Sequence, residues 1–145
     1  MRNLCAAAAF LVASWLAAPA LAQDKPNFTG TWQFDASKSE LHNVKMASAT
    51  WLIEEKDNSI HITETEGGRK LELKCSTDGK DCDASDKAKA SFWYNGPLLV
   101  EMETRGDHVV RYRLKLADDG KSMRVELTHI VPALDGIDVL MFAKS

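Results

Sequence analysis

The sequence predicts an all-β fold, a single antiparallel up-and-down β-barrel of about eight to ten strands. Three observations carry that prediction. Apolar and polar residues alternate with period two, most clearly in Val110, Tyr112, Leu114 and Leu116 against Arg111, Arg113 and Lys115. Most such runs stop at a turn signal, such as Gly67-Gly68, Asn95-Gly96, Gly106-Asp107 or Asp118-Asp119-Gly120. Beyond the N-terminal apolar run, no stretch carries the 3.6-residue period of a long amphipathic helix.

The strands follow in order. Phe28 to Asp35 opens the first, with Gly30 placed where a crossing segment crowds the backbone and Trp32 two residues on, aimed at the closed end of the barrel. A polar link, Ala36 to Ser48, contains Ser37-x-x-Glu40, a spacing that caps one helical turn. Ala49–Lys56 and Ser59–Glu66 flank the break at Asp57-Asn58. Lys70–Cys75 follows Gly67-Gly68, with Leu71 and Leu73 in phase. Asp78 to Lys89, rich in charge and small residues, reads as a solvated loop. Ala90–Tyr94, Leu98–Arg105, Val109–Leu116, Met123–Val131 and Ile137–Ala143 complete a meander of about nine strands.

The N-terminus reads as an export signal. Arg2 supplies the positive start, Leu4 to Leu16 the apolar run, and Ala20-Leu21-Ala22 the small-x-small motif for cleavage after Ala22. An uncleaved anchor is the alternative. Residues 23–145 then form one domain, expected in the periplasm or outside the cell. Removing residues 1–22 takes away one charge, Arg2, and leaves 17 basic against 21 acidic side chains. That mildly acidic balance disfavours nucleic acid or an anionic membrane as partner.

Cys75 and Cys82 remain after cleavage. In an oxidising compartment they read as one disulfide, contributing about 2–3 kcal/mol by loop entropy. The competing reading is a metal pair, but the spacing is wide and no Cys or His pair complements it.

Catalytic and cofactor signatures are missing. There is no Gly-x-Ser-x-Gly elbow, no phosphate-binding glycine loop and no visible nucleophile–base pair. His42, His61 and His108 are scattered, and His61 falls out of phase with Ile60 and Ile62. His129 falls in phase with Val125 and Leu127. It reads either as a core-edge histidine or as a polar contact facing the interior. Asp78, Asp81, Asp83 and Asp86 read as a solvated cluster rather than a calcium loop. Arg111 and Arg113 fall on the wet face. In Phe92-Trp93-Tyr94 the period-two rule turns either Trp93 or its two neighbours away from the core.

The predicted inward list is Trp51, Ile53, Leu71, Leu73, Val100, Met102, Tyr112, Leu114, Met123, Val125 and Leu127. From it come the candidate ligand contacts Trp51, Met102, Tyr112, Leu114, Val125, Leu127 and His129. A guest for such an interior is apolar, with one or two polar contacts.

Three motifs carry a resemblance. Phe28-x-Gly30-Thr31-Trp32 with Asp35 and Lys38-Ser39, then Trp93-x-x-Gly96-x-x-Leu99, then Leu116-x-Asp118-Asp119-Gly120-Lys121-Ser122-Met123 look like segments of small exported bacterial proteins with a lipocalin-like, calycin-type barrel. The resemblance implies the fold and assigns no activity. The Gly-Thr-Trp opening is also similar to that of fatty-acid-binding proteins, whose last strand clamps a carboxylate with an Arg-x-Tyr pair. Leu140 and Phe142 occupy the corresponding stretch here, and the link from 36 to 48 is short for that family's two-helix lid. A small barrel with one disulfide also resembles bacterial metalloprotease inhibitors, which act through an N-terminal trunk. The functional expectation is a binding module for a small lipophilic ligand. The alternative is an envelope protein-interaction module with a packed barrel.

Overall fold

The computed structural model describes residues 25–145. The predicted signal segment 1–22, its cleavage site and the domain start at residue 23 lie outside the described residues. Ten antiparallel strands follow one another: β1 Gly30–Phe34, β2 Thr50–Lys56, β3 Ser59–Glu66, β4 Arg69–Ser76, β5 Cys82–Asp83, β6 Lys89–Asn95, β7 Leu98–Arg105, β8 His108–Leu116, β9 Ser122–Val131 and β10 Asp138–Lys144. Their order, β4-β3-β2-β1-β10-β9-β8-β7-β6-β5, wraps the meander round until the first strand meets the last. Trp32 lies opposite Lys144 and Phe34 opposite Phe142 in that pairing.

The two edges, β4 and β5, almost close the ring. Leu73 and Ala84 form an isolated bridge. The Ser85 amide donates to Glu72 O at 2.9 Å, and the Glu72 amide donates to Ser85 Oγ at 2.9 Å. The disulfide between Cys75 and Cys82, with Cα atoms 5.4 Å apart, crosses the same seam. The segment expected as a solvated loop, Asp78 to Lys89, therefore holds a short strand and the seam itself. The disulfide and the bridge at Ala84 supply partners that its polar composition does not announce.

The link expected to be capped by Ser37 forms only a 3-10 turn, Ala36–Lys38, and its cap is Asp35, whose carboxylate accepts from the Ser37 amide at 3.1 Å. Past the turn, Glu40 pairs through its backbone with Val139 in both directions at 2.8 Å. No helix among the described residues is long and apolar enough to cross a membrane.

At the closed end, Trp32 is fully buried and donates its indole N–H to Phe28 O at 2.9 Å. Phe28 packs against Tyr94, ring centroids 6.4 Å apart, and the Phe28 amide donates to Glu55 Oε2 at 2.8 Å. The tyrosine hydroxyl donates to Glu55 Oε1. Gly30 has φ +153, and a Cβ there would lie 2.5 Å from Lys144 Cε. What crowds the glycine is thus the lysine side chain, whose ammonium sits 5.3 Å from the Trp32 ring centroid. Above this plug, Trp51, Ile53, Ile62, Leu73, Phe92 and Leu114 fill the middle of the barrel. Each such side chain contributes about 1.5–3 kcal/mol by leaving water.

Candidate ligand-binding site at the barrel mouth

Two-residue hairpin turns fix which side chains look inward. The Gly96-Pro97 turn places Tyr94 opposite Leu99 and Phe92 opposite Glu101. The Gly106-Asp107 turn places Glu101 opposite Tyr112 and Leu99 opposite Leu114. Residues that face each other across a pair share a face of the sheet. Phe92, Tyr94, Leu99, Glu101, Glu103 and Tyr112 therefore point inward together.

Met102 and Val100 are corrections. Met102 sits between Ser91 and Arg111, and Val100 between Trp93 and Arg113, all on the outer face. Val100 is buried there without belonging to the core, and Met102 is half-buried. Trp93 is the aromatic that turns outward, half-buried, while Phe92 is fully buried.

The other predicted contacts do converge on the interior. Trp51 spans it, with its ring centroid 4.6 Å from that of Phe142 and 6.4 Å from that of Tyr112. Leu114, Val125 and Leu127 belong to the same core. His129 lies at the mouth end, its Nε2 3.9 Å from Asp138 Oδ2. Leu140 and Phe142 are buried, so apolar side chains fill the place of an Arg-x-Tyr clamp on β10.

Asp138 was missed by sequence reasoning, which placed it one residue into a strand and gave it no task. It is fully buried, and its Oδ1 accepts from the amides of His42, Asn43 and Val44 at 2.5, 2.8 and 3.3 Å. Burial pushes this carboxyl up, but the three amide donors outweigh it and hold it below its ordinary value. One carboxylate thereby ties the 40–44 link across the mouth.

The barrel opens at the tips of two hairpins. A cavity of about 650 Å³ lies between the β3–β4 hairpin, the 84–88 turn and the β7–β8 hairpin; Glu64, Leu71, Glu103, Arg105 and Tyr112 are among its lining residues. Arg105 is held by two carboxylates, donating to Glu103 Oε1 at 3.1 Å and to Asp86. Asp78 and Asp83 pair with Lys80 and Lys89, so the predicted acidic cluster divides into separate ion pairs. His61 contacts Glu54 at 3.2 Å and Arg113 contacts Glu126 at 3.6 Å, both on the outer face.

Glu64, Glu101 and Glu103 gather at and just below the opening. Glu101 is 1% exposed, and its Oε1 has no hydrogen-bond partner among the described residues. Burial, reinforced by Glu64 and Glu103, raises its carboxyl well above the usual range. Glu64 is pushed up to about 8 by burial and then by Glu103 and Glu66, with Arg105 opposing. Burial alone raises Glu103. The Tyr112 hydroxyl is raised by burial and by all three carboxyls, and so remains a neutral donor.

No family model matches the sequence, and no curated protein matches it either. Solved structures do match its fold. REP1-NXSQ, a fatty acid transporter, superposes with a TM-score of 0.65 at 14% identity, over 81% of this chain and 96% of its own. The fluorescent protein UnaG superposes with a TM-score of 0.61 at 17% identity, over 81% of this chain and 97% of its own. The fold is calycin-like, a nearly closed antiparallel barrel of ten strands. At these identities the likeness extends to architecture only, and this barrel carries its own polar groups at the mouth.

Proposed function

We propose that this calycin-like barrel is a binding module for a small lipophilic molecule, received at the mouth. The observation that carries the reading is the cavity of about 650 Å³ that opens between the β3–β4 hairpin, the 84–88 turn and the β7–β8 hairpin. Its size falls within the range of small-molecule sites, and it sets an apolar wall at Leu71 and Tyr112 within a predominantly charged rim. Val131, Leu134 and Ile137 are exposed on and beside the β9–β10 link at the same end, an apolar rim suited to a greasy guest. That both structural neighbours are similar barrels, one of them a fatty acid transporter, supports the same reading.

Export belongs to this proposal. The disulfide across the β4–β5 seam fits an oxidising compartment, and the apolar run Leu4 to Leu16, followed by the cleavage motif Ala20-Leu21-Ala22, supplies the address. An inhibitor that works through an N-terminal trunk is less well supported. Lys25 donates to Asp57 O at 3.1 Å, and Pro26 O accepts from Tyr94, so these residues lie against the closed end.

The test is uptake of Nile red, a neutral lipophilic dye, combined with native mass spectrometry of protein purified from its own host. Saturable dye binding that is lost in Leu71→Trp, where the indole fills the cavity, is the expected result. No dye uptake and no retained mass would overturn the reading. The host-purified chain should begin at Gln23.

A further inference from the structure

We infer that the guest's polar end is a cation: the mouth of the barrel selects small lipophilic amines, whose ammonium is received by Glu101, Glu64 and Glu103. This inference deepens the binding reading and rests on it. Glu101 projects from β7 into the interior opposite Tyr112, is 1% exposed, and leaves Oε1 without a donor. A buried acceptor without a donor is costly, and an ammonium brings three donors and the complementary charge.

Two of the cations near the mouth are already paired, Arg105 with Glu103 among others, which leaves Glu101 a carboxyl without a cation among the described residues. Arg105 is shared between Asp86 and Glu103, and Lys70 contacts Glu72 at 2.8 Å. Arg69, Lys70 and Arg105 line the cavity together with Glu64, Glu66 and Glu103, whereas Glu101, 1% exposed, lies further in. Past that mixed rim, a head group reaching the interior meets Glu101, a carboxyl with no cationic partner. Tyr112 lines the cavity, edge-to-face with the buried Trp51 at 6.4 Å between centroids, and an aromatic face there favours a cation over an anion. Leu71 and Tyr112 provide the apolar wall for the rest of the guest.

The electrostatics add a signature. In the folded barrel, burial keeps the three carboxyls protonated to higher pH than usual, reinforced at Glu64 and Glu101 by neighbouring carboxylates. An arriving ammonium stabilises the ionised form, so uptake at neutral pH releases a proton from protein to buffer. Affinity should rise with pH as the carboxyls ionise, until the amine itself loses its charge.

Three probes with one chain and different heads test this by calorimetry near neutral pH: octylammonium, octanol and octanoate. Octylammonium should bind at least tenfold more tightly than octanol, and octanoate at least tenfold more weakly. Its binding heat should vary with the ionisation heat of the buffer, reporting proton release. Glu101→Gln should shrink the preference for octylammonium over octanol by about tenfold, and Glu64→Gln should move it the same way. Octanoate binding as well as octylammonium, or an ammonium preference unmoved by both substitutions, would overturn the cation inference while leaving the lipophilic barrel intact. If none of the three binds, both readings fall.

Discussion

At residue 101 a glutamate occupies a position where its neighbours across the sheet, Phe92 and Tyr112, are large aromatic side chains. Ionising there means holding a charge among apolar groups with two more carboxyls close by, which the folded chain resists. Glu101→Gln keeps the shape and removes the charge. At about pH 8 it should stabilise the barrel by roughly 1 kcal/mol, whereas near pH 5, where the wild-type group is protonated, the gain should vanish. Urea unfolding of the two proteins at both pH values checks this. Asp138 has the opposite character, because three amides depend on it. Asp138→Ala should cost about 3 kcal/mol, within the range for lost charged hydrogen bonds and orphaned buried donors. Amide exchange at His42 and Val44 should speed up well before the rest of the barrel opens. Gly30→Ala should cost on the order of 1–3 kcal/mol, since φ +153 is a backbone state that side chains avoid. Thermal unfolding measures it.

The elements of the barrel were largely legible from turn signals, and so were the strand count to within one and the pairing of Cys75 with Cys82. Which face of β7 looked inward was not, and the reason is specific. Val100 and Met102 are the apolar members of the strand and draw an inward reading, but Tyr112 cannot share a face with them. A two-residue turn at Gly106-Asp107 puts Tyr112 opposite Glu101, so one inward assignment on β8 dictates the parity of β7, and the Gly96-Pro97 turn passes it on to Phe92. The site carboxyls were hidden by the assumption that inward means apolar, although the same turns would have exposed them. Register, not hydropathy, held the information. The seam was illegible for a different cause, since a two-residue strand has too few residues to show a period. It makes a prediction at this scale. Cys75→Ser with Cys82→Ser should cost about 2.5 kcal/mol, the loop-entropy value for a short span, without dispersing the barrel. Exchange at Ala84 and Ser85 should accelerate more than exchange in β9.

Across the whole molecule the buried acids set the response to pH. Each raised carboxyl keeps its proton in the folded barrel after the unfolded chain has released it. Their support is present in full below the ordinary glutamate value of 4.5 and is lost as pH rises, for Glu64 up to about 8. Asp138, held low, has the reverse sign: its contribution is present above 3.8 and is lost as pH falls through its folded value. Stability should therefore peak near pH 5 and decline toward pH 9. Denaturation midpoints across that span check it, and a flat profile would contradict the burial of these acids.

One link of the circle joins the first strand to the last, Trp32 against Lys144. During synthesis β1 has no partner on that side until β10 has emerged from the ribosome. Throughout synthesis the nascent chain carries an unclosed ribbon with an open edge. It is therefore suited to being kept unfolded by a holding factor first and allowed to shut afterwards, all at once.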